Sequence, residues 1–145
     1  MQRFGEAPQR GTRYRERAGA YAVLERDGRL LVTFQERPLA EFQLPGGGID
    51  PGEGAIQALH REVREETGWS IRISRRLGVY QRYTYMPDYD LWARKLCHIY
   101  LGHPTLCHGA PTEEHHSAVW LDPGDAVACL ASSGDAWFTR QVLRL

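Results

Sequence analysis

Three glutamates, Glu62, Glu65 and Glu66, stand at i, i+3 and i+4 within the run AIQALHREVREET (55–67). On a helix that spacing puts their carboxylates on one face, where a like-charged i,i+4 pair costs roughly 0.2–0.5 kcal/mol. A hard cation removes the conflict. Magnesium takes about six oxygen ligands, one or two from carboxylates and the rest from water and substrate phosphates, so such a face suits it. The same cation neutralises charge on a phosphoryl oxygen and acidifies a water able to attack phosphorus. REVREE also describes an ordinary solvated helix face, so the neighbouring residues must decide. They are Gly46-Gly47-Gly48, Glu53 ahead of the run, Arg61 beside Glu62, and Gly68 just past its end.

The elements that hold these residues are legible in outline. Ile56, Leu59 and Val63 recur at helical spacing through 55–67, and Gly68 supplies a C-terminal stop. Upstream, the apolar stretches 20–24 and 30–34 flank an Asp27-Gly28 pair, which gives the positive φ of a tight hairpin. Residues 35–39 read as a loop, and Phe42-Gln43-Leu44 as a short strand running into Pro45 and the glycines. Downstream, 71–81 and 92–101 read as longer, paired strands joined by a turn at 86–90. A polar loop is expected over 102–117, a short strand over 118–121 and a final helix over 136–145. The mixture predicts an α+β domain over 18–145, preceded by a mobile basic arm, 1–17, that holds Arg3, Arg10, Arg13, Arg15 and Arg17.

Composition narrows the partners. Eighteen basic residues balance eighteen acidic ones in a chain of 145, which is too even for non-specific binding of bulk nucleic acid. No apolar run approaches the ~18 residues that span a bilayer. Cys97, Cys107 and Cys129 form no C-x-x-C pair and suit a reducing cytoplasm. Oligomeric state is left open, with a homodimer allowed.

Taken together, Gly47, Glu53, Arg61, Glu62, Val63, Glu65, Glu66, Gly68 and Trp69 fit G-x5-E-x7-R-E-U-x-E-E-x-G-U, where U is apolar. This string resembles the Nudix box, with every fixed position filled. Trp69 replaces the more usual aliphatic residue, and Gly54 stands where a capping serine is common. The approach from Phe42 to Gly47 and the run from Glu114 to Trp120 are also similar to the family. The resemblance implies an α/β/α sandwich with a mixed, curved sheet, and a hydrolase that splits a phosphoanhydride bond in a nucleoside diphosphate linked to another group. It implies a metal set of Glu62, Glu65, Glu66 and the carbonyl of Gly46, binding magnesium or manganese. Glu53 pairs with Arg61 in this scheme, and the general base is open between Glu53 and a downstream Glu113 or Glu114, with Glu114 preferred for its spacing to Trp120. Glu65 and Glu66 are the further catalytic carboxylates.

Substrate contacts fall outside the box. Arg37 is read as a phosphate contact, and Phe42 and Tyr83 as flanking the substrate, with Tyr80, Tyr85, Tyr89 and Trp92 as further rings on which a base could stack. Alternating aromatics in strands equally serve a core. The competing function is a nucleotide sensor that keeps the fold without hydrolysis. The complete carboxylate set argues against it.

Overall fold

The computed structural model describes residues 1–144. Its strands are β1 (Gln2–Arg3), β2 (Arg15–Arg26), β3 (Arg29–Gln35), β4 (Glu41–Gln43), β5 (Gly46–Gly48), β6 (Trp69–Met86), β7 (Leu91–Cys107) and β8 (His116–Leu121). The helices are α1 (Ala55–Thr67), α2 (Pro123–Cys129) and α3 (Ser133–Leu143), with a short 3-10 turn at Pro87–Tyr89.

The expected hairpin forms between β2 and β3. Arg26 faces Arg29 across a two-residue turn, and Asp27 and Gly28 take φ of 53° and 79°, the conformation that matches the twist of the flanking strands. The sheet runs β1-β6-β7-β2-β3-β4, with β5 added to β2 and β8 to β3. It is mixed: β1 lies parallel to β6 and β2 parallel to β7, and the other pairs are antiparallel. β2 changes partner along its length. Gly19–Tyr21 pairs with β5, and Leu24–Arg26 pairs with β3. Two leaves therefore diverge from the β2–β3 hairpin, one carrying β5, β7 and β6, the other β4 and β8.

Helices cover both faces, giving the α/β/α sandwich. On one side Leu59 and Val63 of α1 pack on Ala20, Ala22, Leu24 and Leu31. On the other, Ala126 of α2, Leu130 and Phe138 of α3 pack on Val23, Val32, Tyr80 and Ile99. α1 ends as expected at Gly68, whose φ of 80° suits glycine and whose N–H reaches the Arg64 carbonyl at 2.9 Å. A side chain there would also run into the Gly109 carbonyl. Ile56, expected on the packed face, is 49% exposed; Ala58, Leu59 and Val63 form that face.

Four expectations on element boundaries change. Residues 102–107 continue β7, paired with Trp69–Ile73 across bulges in β6. Thr105–Cys107 is exposed on both faces, so no apolar alternation announced the strand. α2 was not anticipated; it starts with Pro123, whose missing N–H costs nothing at a first helical position. α3 begins at Ser133, earlier than expected, because Ser132 caps it by accepting from the Asp135 N–H. Part of the segment read as a separate arm is built into the domain: Gln2 and Arg3 pair with Tyr80 and Gln81, and Phe4 packs edge-on against Tyr80 at 5.3 Å. No helix among the described residues is long and apolar enough to cross a membrane.

All three cysteines are free, and only Cys97 is buried. Burial pushes its thiol up to about 11. A thiol-disulfide reagent at pH 8 is expected to titrate two cysteines in the native protein and the third only after unfolding. Rapid reaction of three would place Cys97 at the surface.

Candidate active site

Between the two leaves lies a cavity of about 220 Å³. β5 and α1 supply its acidic end. The glycines there have separate reasons. At Gly46, φ is 142° and a Cβ would strike the Ala20 carbonyl, so only glycine lets β5 lie flush on β2. At Gly47 a Cβ would stand 2.5 Å from the Glu62 carboxylate carbon. The helix can thus approach the strand closely, and the Gly46 N–H donates to Glu66 Oε1 at 2.9 Å. Glu66 Oε2 lies 3.3 Å from His116 Nε2 of β8. The side chains of Glu66 and Glu62 are only 7% and 17% exposed.

Arg61 ties the surrounding loop to the helix. Its Nε and Nη2 each donate to Glu53 at 2.8 Å, Nη1 reaches Glu62 Oε1 at 3.0 Å and Glu65 Oε2 at 3.4 Å, and Nη2 also meets the Gly48 carbonyl at 3.1 Å. The Asp50 N–H donates to Glu53 Oε1 at 3.0 Å. These bonds, Arg61 first, hold the Glu53 carboxyl down at about 2. Burial acts in the opposite direction on the cavity acids. It raises Glu62 against the pull of Arg61, and raises Glu66 well above the usual carboxylate range, with the charges of Glu62, Glu113 and Glu65 adding to it.

A loop closes over the C-terminal end of α1. The N–H groups of Thr112 and Glu113 both donate to the Glu65 carbonyl at 2.9 Å, and that of His108 donates to the Gly68 carbonyl at 2.8 Å. The loop carries Glu113 close enough for its charge to act on Glu62 and Glu66. Glu113 and Glu114, the latter the base preferred on spacing, are both exposed and neither lines the cavity; Glu113 is the one whose charge acts on Glu62 and Glu66.

The structure brings Glu53, Glu62, Glu65 and Glu66 together around Arg61 and Gly46, and places Arg37, Phe42 and Tyr83 away from the cavity lining. Arg37 is exposed in the 36–40 loop. Phe42 packs on Phe34 with ring centres 5.0 Å apart, and Tyr83 packs on Tyr14 at 4.8 Å. The cavity wall is instead formed by Tyr21, Gln43, Tyr80, Arg82, Lys95 and Asp135. Asp135 is 6% exposed, accepts from the Tyr80 hydroxyl at 2.7 Å and is pushed up by burial. The alternation Lys95, Cys97, Ile99 on β7 was the available signal that Lys95 faces inward.

The donor set fits a hard cation. Among the described residues no three acidic, histidine or cysteine side chains already form a closed ligand group. Two enclosed, mutually repelling carboxylates open onto the cavity, the arrangement for an ion that keeps several water or phosphate oxygens. With oxygen donors at one end and cations and hydroxyls at the other, the cleft can seat a phosphate chain attached to a polar group. That is the layout of a phosphoanhydride hydrolase.

Comparison with known proteins assigns the family. The NUDIX domain model matches residues 13–144, and the chain belongs to that family. It is an enzyme of the pyrophosphohydrolase type, in a family that generally uses divalent metal ions. It is 30% identical over 112 residues to the CTP pyrophosphohydrolase of Escherichia coli (strain K12), covering 73% of this chain and 76% of that one. A relative from Bacillus subtilis (strain 168), provisionally named 8-oxo-dGTP diphosphatase, is 29% identical over 106 residues; the alignment covers 73% of this chain but 66% of the relative, just under two thirds of its length. A solved NUDIX hydrolase from Nitrosomonas europaea shares the fold, with a TM-score of 0.74, 22% identity and 90% of each chain covered.

The depressed Glu53 carboxyl gives a signed pH dependence. Its folded value lies below the ordinary 4.5, so its contribution is fully present above that value and is lost as pH falls towards about 2. Glu53→Gln is expected to melt below wild type at pH 7, with the gap closing over that acid window. A gap independent of pH would show that the ion pair with Arg61 is not its source.

Proposed function

We propose that the protein hydrolyses a phosphoanhydride bond in a nucleoside diphosphate linked to another moiety, using magnesium, with manganese as a substitute. The observation that carries this is the pair of enclosed carboxylates, Glu62 and Glu66, held against a glycine strand at the end of one cavity. Glu62, Glu65, Glu66 and the Gly46 carbonyl are the groups that would hold the ion. When bound, it supplies charge neutralisation at the phosphoryl oxygens and acidifies the attacking water.

The chain's own residues orient and exclude. The Gly46 N–H fixes one oxygen of Glu66, and the other lies beside His116 Nε2, a residue of the cavity wall. Arg61 fixes Glu62 and, through Glu53, pins the 49–54 loop to α1. Glu53 is a poor base, because Arg61 and the Asp50 N–H occupy its oxygens and its carboxyl stays ionised to about 2. Glu53 is therefore a positioning residue in this reading. Glu113, carried by the loop docked on the Glu65 carbonyl, takes the proton from the attacking water. The name of the Escherichia coli relative supports including nucleoside triphosphates with nucleotide sugars, ADP-ribose and dinucleoside polyphosphates as trial substrates. The three free thiols suit a cytoplasmic setting.

The test is product release from that panel with magnesium, and with the cation chelated. Glu62→Gln and Glu66→Gln are expected to lower kcat by roughly 10²-fold or more with circular dichroism unchanged. Near-wild-type turnover in either variant overturns the metal assignment. Clear binding of one compound with no turnover anywhere in the panel would identify a sensor.

A further inference from the structure

The sheet face that looks into the cleft carries three cations in a row. Arg17 of β2 is the register partner of Lys95 on β7, and Lys95 is the partner of Arg82 on β6. Residues directly opposed on neighbouring strands project to the same side. This side is shared with Tyr21, Cys97 and Tyr80, two or four residues along the same strands, all lining the cavity. Lys95 and Arg82 line it as well. Lys95 Nζ leans over the Tyr21 ring, 5.7 Å from its centre, and the Arg17 guanidinium lies 4.9 Å over Tyr89.

The opposite face shows what a neutralised arrangement looks like on the same strands. There Arg94 donates to Glu16 on β2 and to Gln81 on β6, both at 2.9 Å. Among the described residues no carboxylate lies within 4.0 Å of Arg17, Lys95 or Arg82. The cavity's acids are hydrogen-bonded to other groups, Asp135 to Tyr80, Glu41 to Gln43, Glu62 to Arg61 and Glu66 to the Gly46 N–H, with Asp135 alone near enough to feel the charges of Lys95 and Arg82. Like charges directly opposite one another destabilise a sheet. An anion arriving from the cleft would relieve that repulsion.

We propose that the Lys95–Arg82 end of the cleft is an anion subsite for a second phosphate of the substrate, separate from the anhydride that is split. Gly46 pairs with Tyr21, and the cation row crosses β2 four residues away at Arg17, about 13 Å along a strand. The lean of Lys95 towards Tyr21 shortens that gap. The span suits a diphosphate-linked nucleotide that carries a further phosphate on its ribose. The inference rests on the Glu62–Glu66 end being the diphosphate end.

Binding measured by calorimetry, with calcium in place of magnesium to keep ligands intact, tests it without requiring turnover. Two matched pairs differ by one ribose phosphate: NADP⁺ against NAD⁺, and coenzyme A against dephospho-coenzyme A. The phosphorylated member of at least one pair is expected to bind about ten-fold tighter or more. Lys95→Gln and Arg82→Gln should each collapse that preference. Arg94→Gln, which removes the same charge from the other face, should keep it. Equal affinities within both pairs, no binding of any of the four, or equal loss of preference in Arg94→Gln would overturn the subsite. So would a Lys95→Gln protein that melts well below wild type and loses both members of a pair alike, since that marks a structural lysine. Failure of hydrolysis with magnesium, by contrast, would count against the reaction and leave these affinities as they are.

Discussion

A carboxylate sealed beneath a backbone amide is the constraint on which the rest of the molecule depends. Glu66 can be held there only if α1 lies close enough to β5 for a main-chain N–H to reach it at 2.9 Å. That closeness excludes a side chain at Gly47, and the flush seat of β5 on β2 excludes one at Gly46. It also requires β5 to leave β3 and pair with β2, which splits the sheet and opens the cleft. The cleft and the acid inside it thus share one geometric cause. Burial in such a place costs a carboxylate its solvation and pushes Glu66 towards neutrality. The fold keeps it by anchoring both sides: Leu59 and Val63 pack the helix on the sheet, and Arg61 clamps the loop that leads into it.

Arg61 concentrates several duties in one planar group. A guanidinium presents donors in a fixed fork, and here the fork meets Glu53 on one edge while its remaining nitrogen faces Glu62 and Glu65. A lysine could supply the charge but not the two-sided geometry. Glu53 and Glu66 consequently live in opposite electrostatic conditions a short distance apart, one held firmly ionised and the other pushed towards neutrality. Such divergence between neighbouring acids separates structural from reactive carboxylates.

The parts legible in the sequence were those encoded locally. The Asp27-Gly28 hairpin, the span of α1, its Gly68 stop and the glutamate spacing all depend on residues within a turn or two of one another. Parts that depend on distant register were not legible. Lys95 and Arg82 are lone charges within otherwise ordinary strands, and their meeting at the cleft requires β6 and β7 to pair in one particular alignment. Tyr83, one residue from Arg82, points to the other face for the same reason. Phe42 and Arg37 were plausible by proximity to the glycines, yet Phe42 turns to Phe34 and Arg37 remains at the surface. Spacing to Trp120 favoured Glu114 over Glu113, but the docking of the loop on the Glu65 carbonyl is a main-chain event with no side-chain signature, so how each acid is presented was not legible.

That docking has a bearing on how such an enzyme can diverge. The 108–115 loop is seated through its own amides on the carbonyls of Glu65 and Gly68, so nearly any sequence able to adopt the turn retains the seat. The helix can stay invariant while the loop exchanges one acid for another, or shifts it by a residue. The loop's acid is in this sense an interchangeable module plugged into a fixed socket.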